Sequence, residues 1–347
     1  MCLEVVRDRT VQLRFFAPAA RIGAAAGPAA GIPATQQSRE PINRYKGKDK
    51  DPGRTGEFSM VMNTRKDEHI IEAIGRCRII IRNGMVAEVG DARIRDCPLA
   101  KRFAYPIPDI KKESVKANIE HRIRAFGMCT PDREVLDNRE FVGFGASEIL
   151  SFALHAGLID AAVLACDGAG TVVVTTPALV QGIGGRMSGL VSTTPYPSVM
   201  DRIEAHEGYV LDRENASLDQ LAGVALAVEK GFRKIAVTIA LPQDAAAIRR
   251  VHPSTVIFGV HVTGLTAEEA ETLVASSDLV TSCASKSIRE IAGKRALVQA
   301  GIAIPIFAIT KAGKELIIEK IRHSDEPVLV KPTKLPALGD NQPDPLV

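Results

Sequence analysis

Residues 158–174 read LIDAAVLACDGAGTVVV, two apolar runs separated by Cys166, Asp167 and two glycines. The runs AAVLAC (161–166) and TVVVT (171–175) lack polar alternation and are rich in Val and Ala. Such runs are typical of strands that are buried on both faces of a sheet. Glycine permits the positive φ that a chain reversal needs. The stretch therefore predicts a buried strand that ends at Cys166, with polar groups at its carboxyl end.

Similar apolar runs recur downstream and alternate with helical patterns, which is typical of parallel βα units. We therefore expect an α/β fold with a mostly parallel sheet and helices on both faces, a three-layer α/β/α arrangement. A (β/α) barrel is the alternative, because the number of strands could extend to eight. The later predicted strands are 235–240, 255–261, 278–283, 304–309 and 327–330.

Helix starts are predicted where Ser or Thr precedes Glu or Gln by three residues. In this capping pattern the two side chains satisfy free backbone amides. The pattern occurs at Ser217 with Gln220, Thr266 with Glu269, and Ser287 with Glu290.

Upstream, the sequence predicts a small α+β subdomain over 61–140, which precedes an α/β domain over 141–330 and a tail over 331–347. Asn83 and Gly84 separate two β-rich arms and are the residues that a tight hairpin turn requires. Amphipathic helices are predicted within 67–77 and 114–126.

Residues 1–60 are rich in Ala, Gly, Pro and Arg and show no sustained hydrophobic period. We expect either a disordered leader or an upstream-start artefact in which translation begins at Met60 or Met62. A transit peptide is a third interpretation, which the acidic residues at 49, 51 and 57 disfavour.

Composition excludes two classes of function. Residues 1–60 hold ten Lys/Arg and six Asp/Glu, so a chain with 44 basic and 41 acidic residues is nearly neutral elsewhere. With no Trp and four Tyr, it lacks the basic and aromatic surface that nucleic-acid binding uses. No apolar run reaches the roughly 20 residues of a membrane span.

The cysteines are widely spread and include no Cys-x-x-Cys pair, which disfavours a zinc knuckle. No secretory signal with an apolar core is evident, so a reducing, cytoplasmic setting is expected rather than a disulfide framework. The six are Cys2, Cys77, Cys97, Cys129, Cys166 and Cys283.

Ligands of parallel α/β folds bind beyond the carboxyl ends of the strands. At the first such end we predict Cys166 as a thiolate and Asp167 as an acid, base or cation ligand. Contacts to a ligand are predicted for Gly168, Gly170 and Thr171. The alternative is a glycine-bearing reversal in which Cys166 is a small buried hydrophobe.

A second candidate is LVQGIGGRMSGLVSTTPYP, in which Gly184, Gly185 and Arg186 could present amides and a guanidinium to an anion. The stretch matches neither a Walker A loop nor a Rossmann fingerprint. A loop that packs under a helix is the alternative.

Two further strand ends carry reactive residues. His261, with Thr263, is predicted to act as a base or metal ligand, and a hydrogen-bonded structural histidine is the alternative. Cys283, with Ser285 and Lys286, precedes a predicted helix, and a helix N-terminus and a lysine both favour a thiolate. A buried, inert thiol is the alternative there.

If both strands are parallel members of one sheet, Cys166 and Cys283 end on the same edge. That placement suits an iron–sulfur or metal site with Cys97 as third ligand, or equally a nucleophile with a partner. The sequence assigns no particular metal or cofactor.

Several motifs in this order, CDGAGTVV, LVQGIGGRMSGLVSTTP, GVHVTGL, SCASKSIRE and IPIFAITKAGKELI, resemble the methanogenesis marker protein 8 family. The resemblance runs from about residue 67 to 322. It implies a cytoplasmic protein of methane-producing archaea that is associated with that pathway, without assigned catalytic residues. ASEILSFALHAGLIDAAVL is also similar, over a short stretch, to the beta subunit of deazaflavin-reducing hydrogenases, but the clustered cysteines of that family are missing.

The leading hypothesis is an α/β enzyme or cofactor-handling accessory protein of methanogenesis that binds an anionic or phosphate-bearing ligand at the strand ends. The alternatives are a non-catalytic assembly factor for a methanogenesis enzyme and an iron–sulfur protein. A homo-oligomer is compatible with the sequence.

Overall fold

The stretch 158–174 forms an antiparallel hairpin within the larger of two sheets. The structure is a computed structural model that describes residues 67–187 and 189–347. The strands in these residues are β1 (Glu68–Glu72), β2 (Arg78–Arg82), β3 (Met85–Val89), β4 (Ala161–Cys166), β5 (Gly170–Val174), β6 (Gly189–Ser192), β7 (Tyr209–Val210), β8 (Ile235–Ile239), β9 (Val256–Gly259), β10 (Leu279–Thr281), β11 (Val298–Ala300) and β12 (Ile306–Ala308).

Helices alternate with strands through most of the chain. The described α-helices are α1 (Lys112–Phe126), α2 (Ala146–His155), α3 (Pro177–Ile183), α4 (Pro197–Glu204), α5 (Gln220–Glu229), α6 (Pro242–Val251), α7 (Ala267–Ser276), α8 (Lys286–Arg295) and α9 (Lys311–Arg322). Three single 3₁₀ turns lie at Ile74–Arg76, Ala100–Arg102 and Gly184–Arg186.

The larger sheet confirms the α/β class but is mixed. Its strand order is β11-β12-β10-β9-β8-β4-β5-β7. The pairs β4/β8, β8/β9 and β9/β10 are parallel, and the other four pairs are antiparallel. The prediction of a mostly parallel sheet is therefore wrong outside this central group. The order also has two open edges, at β11 and β7, and does not show the barrel that was the alternative.

The reversal after Cys166 explains part of this difference. Gly168 and Gly170 have φ of +83° and +73°, so the chain turns directly from β4 into β5. No crossover helix separates the two strands, and a parallel pair would require one. The strand end at Cys166 is confirmed, but β5 runs back along β4.

Alternating side chains of β4 enter two different hydrophobic cores. Ala162 and Leu164 pack in a core with residues of α2, α3, α4 and α9. Ala161 and Val163 pack in a second core with residues of α5, α6, α7 and α8. Helices thus cover both faces of the sheet, which is why its strands carry continuous apolar runs.

The smaller sheet is antiparallel, with the order β3-β2-β1-β6. Its hairpin confirms the prediction at Asn83 and Gly84, whose φ values are +51° and +69°. The helix predicted within 67–77 is wrong, because residues there alternate between buried and partly exposed and form β1. Pairing with β2 on one side and β6 on the other overrides the helical pattern.

Most of the predicted elements form, but β9, β10 and β12 are shorter than the predicted strands 255–261, 278–283 and 304–309. The helix predicted within 114–126 is α1, and Thr266 caps α7 in a capping box with Glu269. The other two caps are displaced by two residues, since Asp219 caps α5 and Ser285 caps α8. No strand forms at 327–330, and β11 was not predicted.

The prediction for residues 1–60 lies outside the described residues. The domain boundary between residues 140 and 141 stays a prediction. The smaller sheet contains strands from both sides of it, because β6 pairs with β1. The tail returns to the smaller sheet region, where Asp344 forms a bridge with Asp96.

The smaller sheet and its loops lie across the carboxyl edge of the larger sheet. Glu72 of β1 contacts His261 after β9, with 2.6 Å between Oε2 and Nε2. Arg76 and Arg93 donate hydrogen bonds to the carbonyls of Thr263 and Gly264. The strand ends that were expected to bind a ligand are therefore covered by another part of the chain.

Candidate functional site

At the end of β4, Asp167 forms a fully buried ion pair with Arg133. The Arg133 Nε lies 2.9 Å from Asp167 Oδ1, and neither side chain is exposed. The backbone N–H of Cys129 donates to Asp167 Oδ2 at 2.6 Å. The carboxylate therefore has its hydrogen-bond partners inside the protein and joins the loop before α2 to the sheet edge.

The thiols beside this ion pair are poorly suited to be thiolates. Cys166 is fully buried, and burial, together with the neighbouring Asp167 carboxylate, raises its pKa far above the ordinary value. Burial and Asp167 raise the pKa of Cys129 in the same way. A thiol that stays protonated is a weak nucleophile. The predicted role of Cys166 remains a prediction, and its surroundings match the buried-hydrophobe alternative.

The glycines of the turn serve close packing. The N–H of Gly168 donates to Thr193 Oγ1 at 2.7 Å, and a Cβ on Gly168 would lie 2.8 Å from the Tyr196 ring. A Cβ on Gly170 would lie 2.3 Å from the carbonyl of Ala216. The hydroxyl of Thr171 is also occupied, since it bonds to Gln220 Oε1 at 2.7 Å.

A buried polar network continues from this turn to β1. His69 Nδ1 lies 2.6 Å from Thr193 Oγ1, and His69 Nε2 lies 2.9 Å from the hydroxyl of Tyr196. That hydroxyl donates a short hydrogen bond to Asp67. Burial lowers the pKa of His69, so the imidazole favours its neutral form.

The glycine-rich stretch places Arg186 among carboxylates of the chain itself. Arg186 Nη2 lies 2.6 Å from Asp137 Oδ2, and the guanidinium stacks on Phe126 at 4.6 Å from the ring centroid. Arg139 and Arg186 hold the pKa of Asp137 well below its usual range. Gly184 and Gly185 lie in the 3₁₀ turn that positions Arg186. The predicted anion contact would have to replace this internal partner.

His261 differs from these groups because only one ring nitrogen is occupied. Hydrogen bonds from His261 and Arg76 lower the pKa of Glu72 to about 2, so the carboxylate is ionised and accepts a hydrogen bond from the Nε2–H group of His261. Neutral His261 then carries its lone pair on Nδ1. Within residues 67–187 and 189–347, Nδ1 has no hydrogen-bond partner, and the His261 side chain is 12% exposed.

The backbone around His261 adopts conformations that residues with side chains rarely adopt. The φ values of Arg76, His261 and Cys283 are +56°, +56° and +41°. Each such conformation costs about 1–3 kcal/mol, and such residues concentrate at functional sites. Gly189 of β6 lies against the His261 ring, where a Cβ would lie 2.7 Å from Nε2. The imidazole is therefore fixed from several directions.

The remaining predicted residues surround the next strand end. Cys283 follows β10, the strand beside β9, and its thiol is partly exposed. Thr263 Oγ1 accepts a hydrogen bond from the N–H of Ala284, Ser285 is the N-cap of α8, and Lys286 is exposed at the first position of that helix. The structure thus brings Cys283, Ser285 and Thr263 together, whereas Cys166 lies elsewhere on the edge.

The predicted cysteine cluster does not form as a set of three. Burial raises the pKa of Cys97, with a smaller effect in the same direction from Cys283. Cys166 acts in the same direction on the pKa of Cys129. In the part of the chain that the structure describes, no group of three or more His, Cys, Asp or Glu side chains is placed to hold a metal ion.

The residues missed from sequence reasoning are Glu72, Arg76 and Arg133. Glu72 and Arg76 lie in the stretch predicted as a helix, where residues 69–72 (HIIE) do not alternate between polar and apolar and so gave no local signal for a strand. Arg133 lies in a polar loop, and nothing in the sequence indicates that it is fully buried.

Comparisons place the chain in a family. Residues 69–322 match DUF2099, described as "Uncharacterized protein conserved in archaea", and the chain belongs to this family. It is 43% identical over 284 residues to "Uncharacterized protein MJ0054" of Methanocaldococcus jannaschii, which covers 81% of this chain and 100% of the relative.

The chain is also similar to a chain of the xenon-derivatised F420-reducing NiFe hydrogenase complex from Methanosarcina barkeri. The match has 13% identity and a TM-score of 0.28, and covers 51% of this chain and 72% of that chain. A similarity this low does not show a shared fold or a shared activity. Among the described residues, no helix is long and apolar enough to cross a membrane.

Proposed function

We propose that this protein is a cytoplasmic accessory protein of methanogenesis that acts on an anionic small molecule at the carboxyl ends of β9 and β10. The observation that carries the proposal is the hydrogen bond of 2.6 Å between His261 and the ionised Glu72. It fixes the tautomer in which Nδ1 is the proton acceptor. A carboxylate that orients a histidine in this way is a recurrent arrangement for general bases.

In this proposal His261 removes or returns a proton at Nδ1, and Glu72 stabilises the imidazolium that forms. Arg76 holds Glu72 in place through its Nε, 2.9 Å from the same carboxylate oxygen. Cys283, on the neighbouring strand end, supplies a partly exposed thiol, and Lys286 supplies a positive charge for the anionic part of the ligand. The link to methanogenesis is supported by the motif resemblance.

The experiment uses the full chain and a small-molecule extract of a methane-producing archaeon. Compounds that are bound or converted are compared by mass spectrometry for the native protein, His261→Ala and the control His252→Ala. His252 is the C-cap of α6 and lies before the amino end of β9, whereas His261 follows the carboxyl end of that strand. We expect compounds that the native and control proteins convert and that His261→Ala converts about 10²–10⁴-fold more slowly. An identical profile for all three proteins would contradict the proposal.

An assembly factor for a methanogenesis enzyme is the second candidate, and one observation favours it. Val328, Leu329 and Val330 are 41%, 77% and 59% exposed, in a segment without helix or strand. Consecutive exposed apolar residues are typical of contact surfaces. Replacing the three with Ser should abolish co-purification with a methanogenesis enzyme from cell extract if this candidate is right, and should leave any chemistry that depends on His261 intact.

A further inference from the structure

The end of the chain runs back along α8, from the carboxyl part of that helix to its N-terminus. Pro336 lies against Gly293, where a Cβ would lie 2.7 Å from the proline Cδ. At the other end, Val347 donates its N–H to the carbonyl of Ala284, and its main-chain oxygen accepts a hydrogen bond from the N–H of Lys286. This segment therefore covers the loop between β10 and α8.

The segment 336–347, which we call the strap, is also held at its middle by one glutamine. Gln342 Oε1 lies 3.2 Å from Nη2 and 3.3 Å from Nε of Arg289. The other hydrogen bonds of this guanidinium go to the main-chain carbonyls of Ser282, Cys283, Ser285 and Ala303. Gln342 is thus the side chain of the strap that covers the guanidinium.

Arg289 is a buried cation that lacks a counter-charge. The residue is 2% exposed, and no carboxylate in 67–187 or 189–347 contacts its guanidinium. Burial lowers the pKa of Arg289 to about 10, which still leaves the group charged at neutral pH. By contrast, the buried Arg133 pairs with Asp167. The strap therefore supplies Arg289 with a neutral amide oxygen in a position where a carboxylate would bind more strongly.

The strap has few of the contacts that would fix it permanently. Within 336–347 no helix forms, and the one strand-like pairing is the bridge between Asp344 and Asp96. Pro343 is the one buried residue of the twelve. Segments with few buried apolar groups open at a lower free energy than the whole fold. The strap can therefore detach while α8 and β10 stay folded.

The strap lies on the same strand end that the proposed function uses. Ala284 donates its N–H to Thr263, two residues after His261, and accepts a hydrogen bond from Val347. The N–H of Lys286 is the first of α8, and it too is occupied by Val347. A helix N-terminus and a guanidinium both attract anions. In the closed strap both groups are satisfied by the chain itself.

We propose that the strap is an autoinhibitory contact, which occupies Arg289 and the N-terminus of α8 when closed and admits an anionic ligand to them when open. The inference rests on the proposed function for the location of the ligand, but it does not require proton transfer by His261. Strap and ligand compete for the same donors. The apparent affinity for the ligand is therefore reduced by the fraction of molecules in which the strap is open.

Phenylglyoxal, which modifies arginine guanidinium groups, measures strap opening in the full chain. Peptide mapping by mass spectrometry gives the rate at Arg289. We expect Gln342→Ala to raise this rate about 10-fold or more, because a hydrogen bond to a charged group is lost. Asn341→Ala is the matched control, since Asn341 is the exposed neighbour in the strap. Arg133, which is 0% exposed, is the internal reference and should react equally slowly in all variants.

Inorganic phosphate tests whether the opened position accepts an anion. At constant ionic strength, phosphate should slow the modification of Arg289 in Gln342→Ala in a saturable way, at lower concentrations than in the native chain. Equal rates at Arg289 in Gln342→Ala and Asn341→Ala would overturn the proposal, as would a rate in Gln342→Ala that phosphate leaves unchanged. Neither measurement involves His261, so a failure of the proposed function is detected separately, by identical conversion in the native chain and His261→Ala.

Discussion

The carboxyl ends of β4 and β9 lie at one edge of the same sheet, but their polar side chains are held differently. Asp167 and its partner Arg133 are both 0% exposed, and the hydrogen bonds of the carboxylate are directed inward. His261 and its partner Glu72 are 12% and 20% exposed, and one ring nitrogen has no partner within the described residues. A position at the end of a strand is therefore insufficient to make a site, because the segment that covers it decides whether a polar group stays available.

The largest expected effect is the loss of stability when the buried pair of Asp167 and Arg133 is broken. Arg133→Ala should lower the free energy of unfolding by about 3–5 kcal/mol, because it leaves Asp167 buried without a counter-charge. Arg139→Ala is the control, since that guanidinium is 75% exposed and its pair with Asp137 should contribute less than about 1 kcal/mol. Urea denaturation at pH 7 measures both. Equal losses would show that Asp167 is not held as described.

The second largest expected difference is between the alkylation rates of the Cys283 and Cys166 thiols. With iodoacetamide at pH 8, we expect Cys283 to be alkylated at least about 100-fold faster than Cys166, because the pKa of the buried Cys166 thiol is strongly raised. Peptide mapping by mass spectrometry gives the rate at each cysteine. In 8 M urea the two rates should converge. Comparable rates in the native protein would mean that the end of β4 is as accessible as the end of β10.

The turn itself can be tested by two glycine substitutions. Gly170→Ala should be more destabilising than Gly157→Ala by about 1–3 kcal/mol. Both glycines have positive φ, +73° and +67°, but only at Gly170 would a Cβ meet a backbone carbonyl, whereas no atom lies within 4 Å at Gly157. The difference between their urea midpoints isolates the packing cost. A difference near zero would imply that the β4–β5 turn can relax.

The smallest expected effect is on the pH dependence of stability, through Glu72 at the carboxyl end of β9. The pKa of Glu72 is lowered from 4.5 to about 2 in the folded protein, so its stabilising contribution is complete above pH 4.5 and is lost as pH falls towards 2. For a partly exposed group this amounts to about 1 kcal/mol. Glu72→Gln should reduce the loss of stability between pH 5 and pH 2.5 by that amount, measured by thermal unfolding. A variant with an unchanged pH profile would contradict the pairing with His261.

Local signals were sufficient for much of the fold. The apolar runs at 161–166, 235–240 and 255–261, the Asn83 and Gly84 turn and the cap at Thr266 depend on residues close in sequence. The direction of β5 was not predictable in this way, because it depends on whether a glycine turn or a crossover follows Cys166. The helix expected within 67–77 failed because β1 is stabilised by two strands, one of which lies about 120 residues away.

Local sequence signals could likewise predict only part of the candidate site. The sequence located His261 and Cys283 at the ends of two predicted strands, since both follow apolar runs, and the structure shows that these strands are adjacent. It could not distinguish them from Cys166 and Asp167, because the difference arises from residues far along the chain. Arg133 covers one strand end and Glu72 covers the other, and neither contact has a local sequence signature.

The pairing of β6 with β1 also bears on how the protein is synthesised. The ribosome must add about 120 residues after β1 before the strand that completes the smaller sheet exists, which takes on the order of ten seconds. During that interval one edge of β1 is unpaired, and an unpaired edge can join another chain. Nascent chains of this protein should therefore need protection from association until β6 has emerged, and a fragment that ends before Gly189 should aggregate.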